Sequence, residues 1–216
     1  YVWEEDNGGG FALIVNGGVY SGAASATLTL TGITSAMNGY DYRVTVANGA
    51  PSVCVASLTS GGVNLTVEEV PEITLQPVAS TICENTNTTF TVNAGVTTVP
   101  AYQWQESTNG GSSYSNVVNG GIYSGATLGT LTLTGVPLGS NGYLYRVIVS
   151  GTCAPSVVSN GAVLNVEQNV VIGTAPVAAT GCEGSTVSYS VSASGSGLTY
   201  VWEEDNGGGF ALIVNG

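Results

Sequence analysis

The first 17 residues, YVWEEDNGGGFALIVNG, recur without change as residues 200–216. Identity of this length at an offset of 199 imposes a repeat architecture. The duplication reads as an excerpt of a longer polypeptide, one 199-residue period plus a 17-residue overlap. A looser repeat of about 100 residues runs inside that period. NGGVYSGAASATLTLTG from Asn16 matches NGGIYSGATLGTLTLTG from Asn119, NGYDYRV from Asn38 matches NGYLYRV from Asn141, and PVASTICE from Pro77 matches PVAATGCE from Pro176. Two related modules therefore alternate. Residues 1–68 carry the back part of module one, from its third strand onward; 69–167 form a complete module two; 168–216 carry the front part of the next module one.

Each module reads as all-β. Short runs rich in Val, Thr, Tyr, Leu and Ile, such as ITLQPV, TTFTV, YQWQES, TLTLTG, YLYRVIV and AVLNVE, are separated by Gly, Asn and Pro turns. Sustained 3.6-residue apolar periodicity with helix caps is lacking. About seven short strands in about 100 residues predict a two-sheet sandwich whose alternate side chains fill the space between sheets.

Composition narrows the function. The chain has 32 Gly, 14 Asp plus Glu, two Arg, no Lys and no His, for a net charge of -12. An imidazole base, a Schiff-base lysine and a His-ligated metal are all ruled out, and Arg43 and Arg146 alone cannot build a basic groove for nucleic acid. No catalytic residue and no cofactor are assigned, and enzyme is the class least supported. A hydrophobic fraction of 43% supports a packed core, and no apolar run in the segment is long enough to span a bilayer.

Within module two, Cys83 falls near the second strand, Trp104 in YQW on the third, and Tyr143 and Tyr145 in SNGYLYR at the start of the sixth. This order resembles immunoglobulin-like domains, and the longer pattern YxWxxSxNGGxxYxxVxNGGxYSGATxxTLTLTG resembles the tandem repeats of giant surface adhesins or extracellular fibres of Bacteroidetes-type bacteria. The resemblance implies tandem immunoglobulin-like β-sandwich modules of two alternating types. It implies that Trp104, with its counterparts Trp3 and Trp202, fills the core, and that the hydroxyl of Tyr145 or Tyr42 ties down the corner between strands five and six. Val147 stands where antibody domains place a core cysteine.

Four cysteines without metal-site spacing point to disulfides and an oxidising, extracellular setting. Cys83 and Cys153 lie 70 residues apart within module two; Cys54 is the counterpart of Cys153, and Cys182 of Cys83. The matched spacing predicts a Cys83–Cys153 bond, with Cys54 and Cys182 each paired to an adjoining copy.

The remaining candidate sites each admit a functional and a structural reading. Glu4, Glu5 and Asp6, repeated as Glu203, Glu204 and Asp205, form the dense acidic patch. Its oxygens suit Ca²⁺ but lack EF-hand spacing, so a solvated hairpin is favoured over a metal site. Glycine runs such as NGGG read as hairpin turns. Tyr20, Tyr114 and Tyr123 are either a sugar-stacking strip or, as is favoured, rings packed on neighbouring strands.

The expected function is a structural fibre or adhesin stalk at the bacterial surface or in a secreted filament, braced by disulfides inside each module. Its partners are neighbouring copies of the repeat, with self-association possible through strand edges that no Lys blunts. Two alternatives stand: a filament of separate subunits joined by strand complementation, and a module that binds glycan or protein through loops. The second rests on the loop between strands six and seven, ANGAPSVC in module one against SGTC in module two.

Overall fold

The computed structural model describes residues 1–49 and 56–214. Its strands fall in three groups along the chain. The first group holds β1 (Val2–Asp6), β2 (Ala12–Leu13), β3 (Tyr20–Ser21), β4 (Thr29–Leu30), β5 (Asp41–Ala47), β6 (Ser57–Thr59) and β7 (Val63–Asn64). Next come β8 (Ser80–Cys83), β9 (Thr88–Thr91), β10 (Ala101–Ser107), β11 (Ser115–Asn116), β12 (Tyr123–Ser124), β13 (Thr130–Leu133), β14 (Leu144–Ser150), β15 (Val157–Val158) and β16 (Ala162–Glu167). The last group is β17 (Val171–Thr174), β18 (Ser192–Ser194), β19 (Glu203–Asp205) and β20 (Phe210–Leu212).

The middle group closes a sandwich. One sheet runs β11-β10-β14-β16-β8, with β15 also on β14, and the facing sheet runs β12-β13-β9. Alternation in sequence becomes alternation in burial: Tyr145, Val147 and Val149 point inward from β14, Leu131 and Leu133 from β13, and Ala162, Leu164 and Val166 from β16. These side chains, with Phe90 and Trp104, make one core. Val147, at the position of the antibody cysteine, is fully buried there as a plain apolar side chain.

Strand direction decides which end of the sandwich each connecting loop occupies. β8 lies parallel to β16, with Cys83 opposite Glu167, whereas β14 is antiparallel to β16. The last strand is split, and the Ser159 hydroxyl fills the gap between β15 and β16 by accepting the Val147 N–H at 2.9 Å. Ser60 does the same for Val44 at 3.0 Å in the first group.

The described chain divides into two compact units, one of residues 1–72 with 96–100 and 150–156, the other of 73–95, 101–149 and 157–216. In the first, β2-β1-β5-β6 form a sheet with β7 also on β5, and β3-β4 form a separate hairpin. In the second, the strands after the sandwich make only the pairs β17-β18 and β19-β20.

Candidate functional site

The NGGxYSGA motif builds the same loop in both module types. Asn16 Oδ1 accepts the Ala23 N–H at 2.9 Å, and Asn119 Oδ1 accepts that of Ala126 at the same distance. Gly125 has φ +78°, and a Cβ there would lie 2.2 Å from the Thr130 carbonyl oxygen; Gly22 repeats this against Thr27. Only glycine fits, which is the physical content of the repeated motif.

The loop delivers a tyrosine to the core. Tyr123 donates to Glu106 Oε2 at 2.6 Å, and its oxygen lies 3.1 Å from that of Tyr145. The Tyr145 ring is fully buried and stacks on Phe90 at 4.9 Å between centroids. Burial pushes the Tyr145 phenol up to about 12, and raises Tyr123 as well, which the bond to Glu106 reinforces. In the first unit Tyr20 donates likewise to Glu5, whereas the buried Tyr42 hydroxyl has no hydrogen-bond partner among the described residues.

The expectation that Tyr145 and Tyr42 tie the corner between strands five and six is therefore corrected: the Tyr145 hydroxyl meets Tyr123 instead. The corner is held by the asparagine of NGY. Asn141 Oδ1 accepts the Val166 N–H at 2.9 Å, and Asn38 Oδ1 accepts that of Val67 at 2.9 Å. The signal for this role is the first residue of the paired NGYxYRV motifs, Asn38 and Asn141.

The tryptophans are placed by one rule with unequal results. Trp104 is fully buried and donates from Nε1 to the Leu128 carbonyl at 2.8 Å. Trp3 donates to the Ser25 carbonyl at 3.0 Å but is only half-buried, and Trp202 is exposed.

Glu4, Glu5 and Asp6 do not converge. Glu4 pairs with Arg43 Nε at 2.7 Å, Glu5 accepts from Tyr20, and Asp6 caps the glycine turn by accepting the N–H groups of Gly8 and Gly10, each at 2.8 Å. Asp205 repeats the cap with Gly207 and Gly209, and these N–H groups hold its carboxyl below the usual range. Each carboxylate of the first copy has a protein partner, and Asp6 caps its hairpin turn. Of the other tyrosines, Tyr114 packs its ring under the Arg146 guanidinium at 3.7 Å.

The Cys83–Cys153 bond is overturned. The two are not joined to each other in this structure, where Cys182 is likewise unbonded. Because β8 is parallel to β16 and β14 antiparallel to it, Cys83 lies level with Glu167 while β14 leaves in the opposite direction from Leu144, opposite Val163. Along the sheet Cys83 is then about nine strand positions, roughly 30 Å, from Val149 near the far end of β14, against the roughly 7 Å limit between Cα atoms of a disulfide. Matched sequence spacing had reported the repeat, not proximity within a module. Cys54 and most of the ANGAPSVC loop lie outside the described residues.

Residues 74–168, the closed sandwich, match a family described as a domain of unknown function (DUF8696). No curated protein matches the chain. Among solved structures, the chain is similar to the I-band fragment I67-I69 from titin, with a TM-score of 0.69 at 15% identity, covering 100% of this chain and 70% of that one. It is similar also to an E-to-A variant of the same three-immunoglobulin fragment, with a TM-score of 0.68, 15% identity and the same coverage. The fold is immunoglobulin-like. At this identity the likeness speaks for fold alone. Among the described residues, no helix is long and apolar enough to cross a membrane.

Proposed function

We propose that the chain belongs to an extracellular structural fibre or adhesin stalk on a bacterial surface, made by covalent repetition of the 199-residue pair of modules. The observation that carries this reading is the open state of both outer groups. In the first unit Trp3, Leu28, Leu30, Tyr42 and Val63 line an open apolar groove; in the second, Ile172, Val191, Ala193, Trp202 and Phe210 line another. These are the front and back faces of one sandwich. Sequence that continued the period past residue 216 would supply β3 to β7 to the second groove, and sequence preceding residue 1 would supply β17 and β18 to the first.

The role is architectural and non-catalytic. Rigid modules set length by number, and the surplus of carboxylates opposes lateral clumping at low salt. Strand complementation between separate subunits would use the same two grooves. The duplicated 17 residues weigh against it, since β1–β2 and β19–β20 are the same segment and would compete for one place. The mass of the reduced, denatured polypeptide from its natural source tests the proposal: far above 21.6 kDa is expected, and a mass near that value assigns the filament to subunits.

A further inference from the structure

We infer that the cysteines form disulfides across module junctions, each joining the turn after β8, or its counterpart, to the loop after the sixth strand of the following module. The inference rests on the tandem-array reading.

Two observations locate both cysteines at one carbonyl. In module two Cys83 is the register partner of Glu167, the last residue of β16, so their Cα atoms lie on adjacent strands about 5 Å apart. The Glu167 carbonyl accepts the N–H of Glu84, the residue after Cys83, at 2.8 Å. Glu68 is the module-one counterpart of Glu167, at the same offset of 99 that relates Cys54 to Cys153. Its carbonyl accepts from the Cys153 thiol at 3.5 Å. A preceding module one built like module two would therefore bring its own turn cysteine, the earlier copy of Cys182, beside Glu68 and within disulfide reach of Cys153.

The surroundings of each cysteine agree. In the first unit the segment after Glu68 is held against the loops that flank Cys153: the Glu69 N–H donates to Thr98 Oγ1 at 2.8 Å, and the Thr152 N–H donates to the Thr98 carbonyl at 3.0 Å. At the other module end, the Asn169 N–H donates to Glu84 Oε1 at 3.0 Å. Cys182 sits in the same turn as Cys83. Thr86 and Ser185 hydroxyls donate to the respective cysteine carbonyls at 2.6 and 2.7 Å, and the intervening Asn85 and Gly184 have φ of 62° and 78°. Both turns leave the cysteine exposed.

Bond formation is thiol–disulfide exchange. One junction thiolate attacks a disulfide oxidant of the extracytoplasmic compartment, the second displaces it, and the pair loses two electrons and two protons while the oxidant leaves as two thiols. The consequence is mechanical. From Cys83 the bond leads to the next copy of Cys54, and about 30 residues later to the next Cys83; a second rail runs through Cys153 and Cys182. Each rail limits a 199-residue period to roughly 100 Å of extended chain plus one bond, against roughly 680 Å when reduced.

The two module types make the test decisive. The natural polypeptide is alkylated unfolded without reduction and cut with chymotrypsin, since trypsin has only two Arg to cut at, and its cysteine peptides are paired by mass. The expected links are Cys54 with Cys83 and Cys153 with Cys182. Links of Cys83 with Cys153 and Cys54 with Cys182, any other pattern, or four alkylated thiols overturn the inference. The reduced mass of the same sample reads out the array independently, so a long chain with wrong links sinks this inference alone.

Discussion

Residues 69–167 supply every strand of a closed sandwich, while the strand groups in 1–68 and 168–214 stay open, so positions that correspond by sequence are seen closed and open. Phe90 is 1% exposed in the closed module, and its counterpart Tyr189 is 54% exposed in the open front. Trp104 is 0% exposed and Trp202 40%. The backbone follows the same division. β8 and β9 form against β16 and β13, but residues 179–182 and 187–190, their counterparts, form no strand. The sharpest case is the duplicated segment itself: as β1 it pairs with both β2 and β5, and as β19 it is shorter and pairs only with β20. Propensity is identical in the two copies, so the difference belongs to the partners. Strand formation here requires a ladder on one side and a covered face, and local sequence supplies neither.

The largest effect should come from abolishing the contrast. A chain lengthened past Gly216 by the sequence of residues 18–68 completes the second sandwich. It should stabilise residues 168–216 on the order of 5 kcal/mol, the lower end for a small domain. Hydrogen exchange at 179–190 should slow and Trp202 fluorescence shift to the blue; an unshifted Trp202 would refute the claim that completion is what that half lacks. Next in size is Trp104→Ala, which empties the closed core and should cost about 3–5 kcal/mol in chemical denaturation. The same change at Trp202 in the 216-residue chain should cost less than about 1 kcal/mol, because an exposed ring has little burial to lose. Equal losses at the two sites would mean that the open half is already packed.

Much of this architecture was legible in the sequence. The 199-residue period, the all-β modules and the inward face of Trp104 follow from repetition, alternation and aromatic spacing. The tyrosine network was harder to find, because Tyr123 and Tyr145 are 22 residues apart and on different sheets, and only the fold of NGGxYSGA brings the first to the second. The disulfide expectation failed for a related reason. Spacing within a module says which cysteines correspond, whereas proximity depends on strand direction, and the parallel β8–β16 pair puts Cys83 at the exit of its module.

The tyrosine pair gives a pH test of intermediate size. Folding raises the Tyr145 phenol from its ordinary value near 10 to about 12, so the folded state favours the neutral form. Its contribution is intact below pH 10 and is lost as pH rises from 10 to 12, when the unfolded chain ionises first. The loss should reach about 2–3 kcal/mol in module two. Tyr145→Phe should lessen the slope of that part of the profile, to which Tyr123 also contributes, measured as denaturation midpoint against pH; an unchanged slope would shift the titration to other groups.

The smallest effect concerns the two cations, which occupy corresponding strands with different partners. Arg43 Nε meets Glu4 at 2.7 Å and its guanidinium lies 3.9 Å over the Phe11 ring; Arg146 Nε meets Gln105 Oε1 at 2.9 Å and lies 3.7 Å over Tyr114. The ring contact is common to both, so the carboxylate is the variable. Glu4→Gln gives module one the pairing of module two and should cost about 0.5 kcal/mol at low salt, while Gln105→Glu should gain a similar amount. Both changes should vanish near 1 M salt, where screening acts over about 3 Å, while the ring contact persists. A cost at Glu4 that survives high salt would place the energy in hydrogen-bond geometry, and the two modules would then differ there in shape more than in charge.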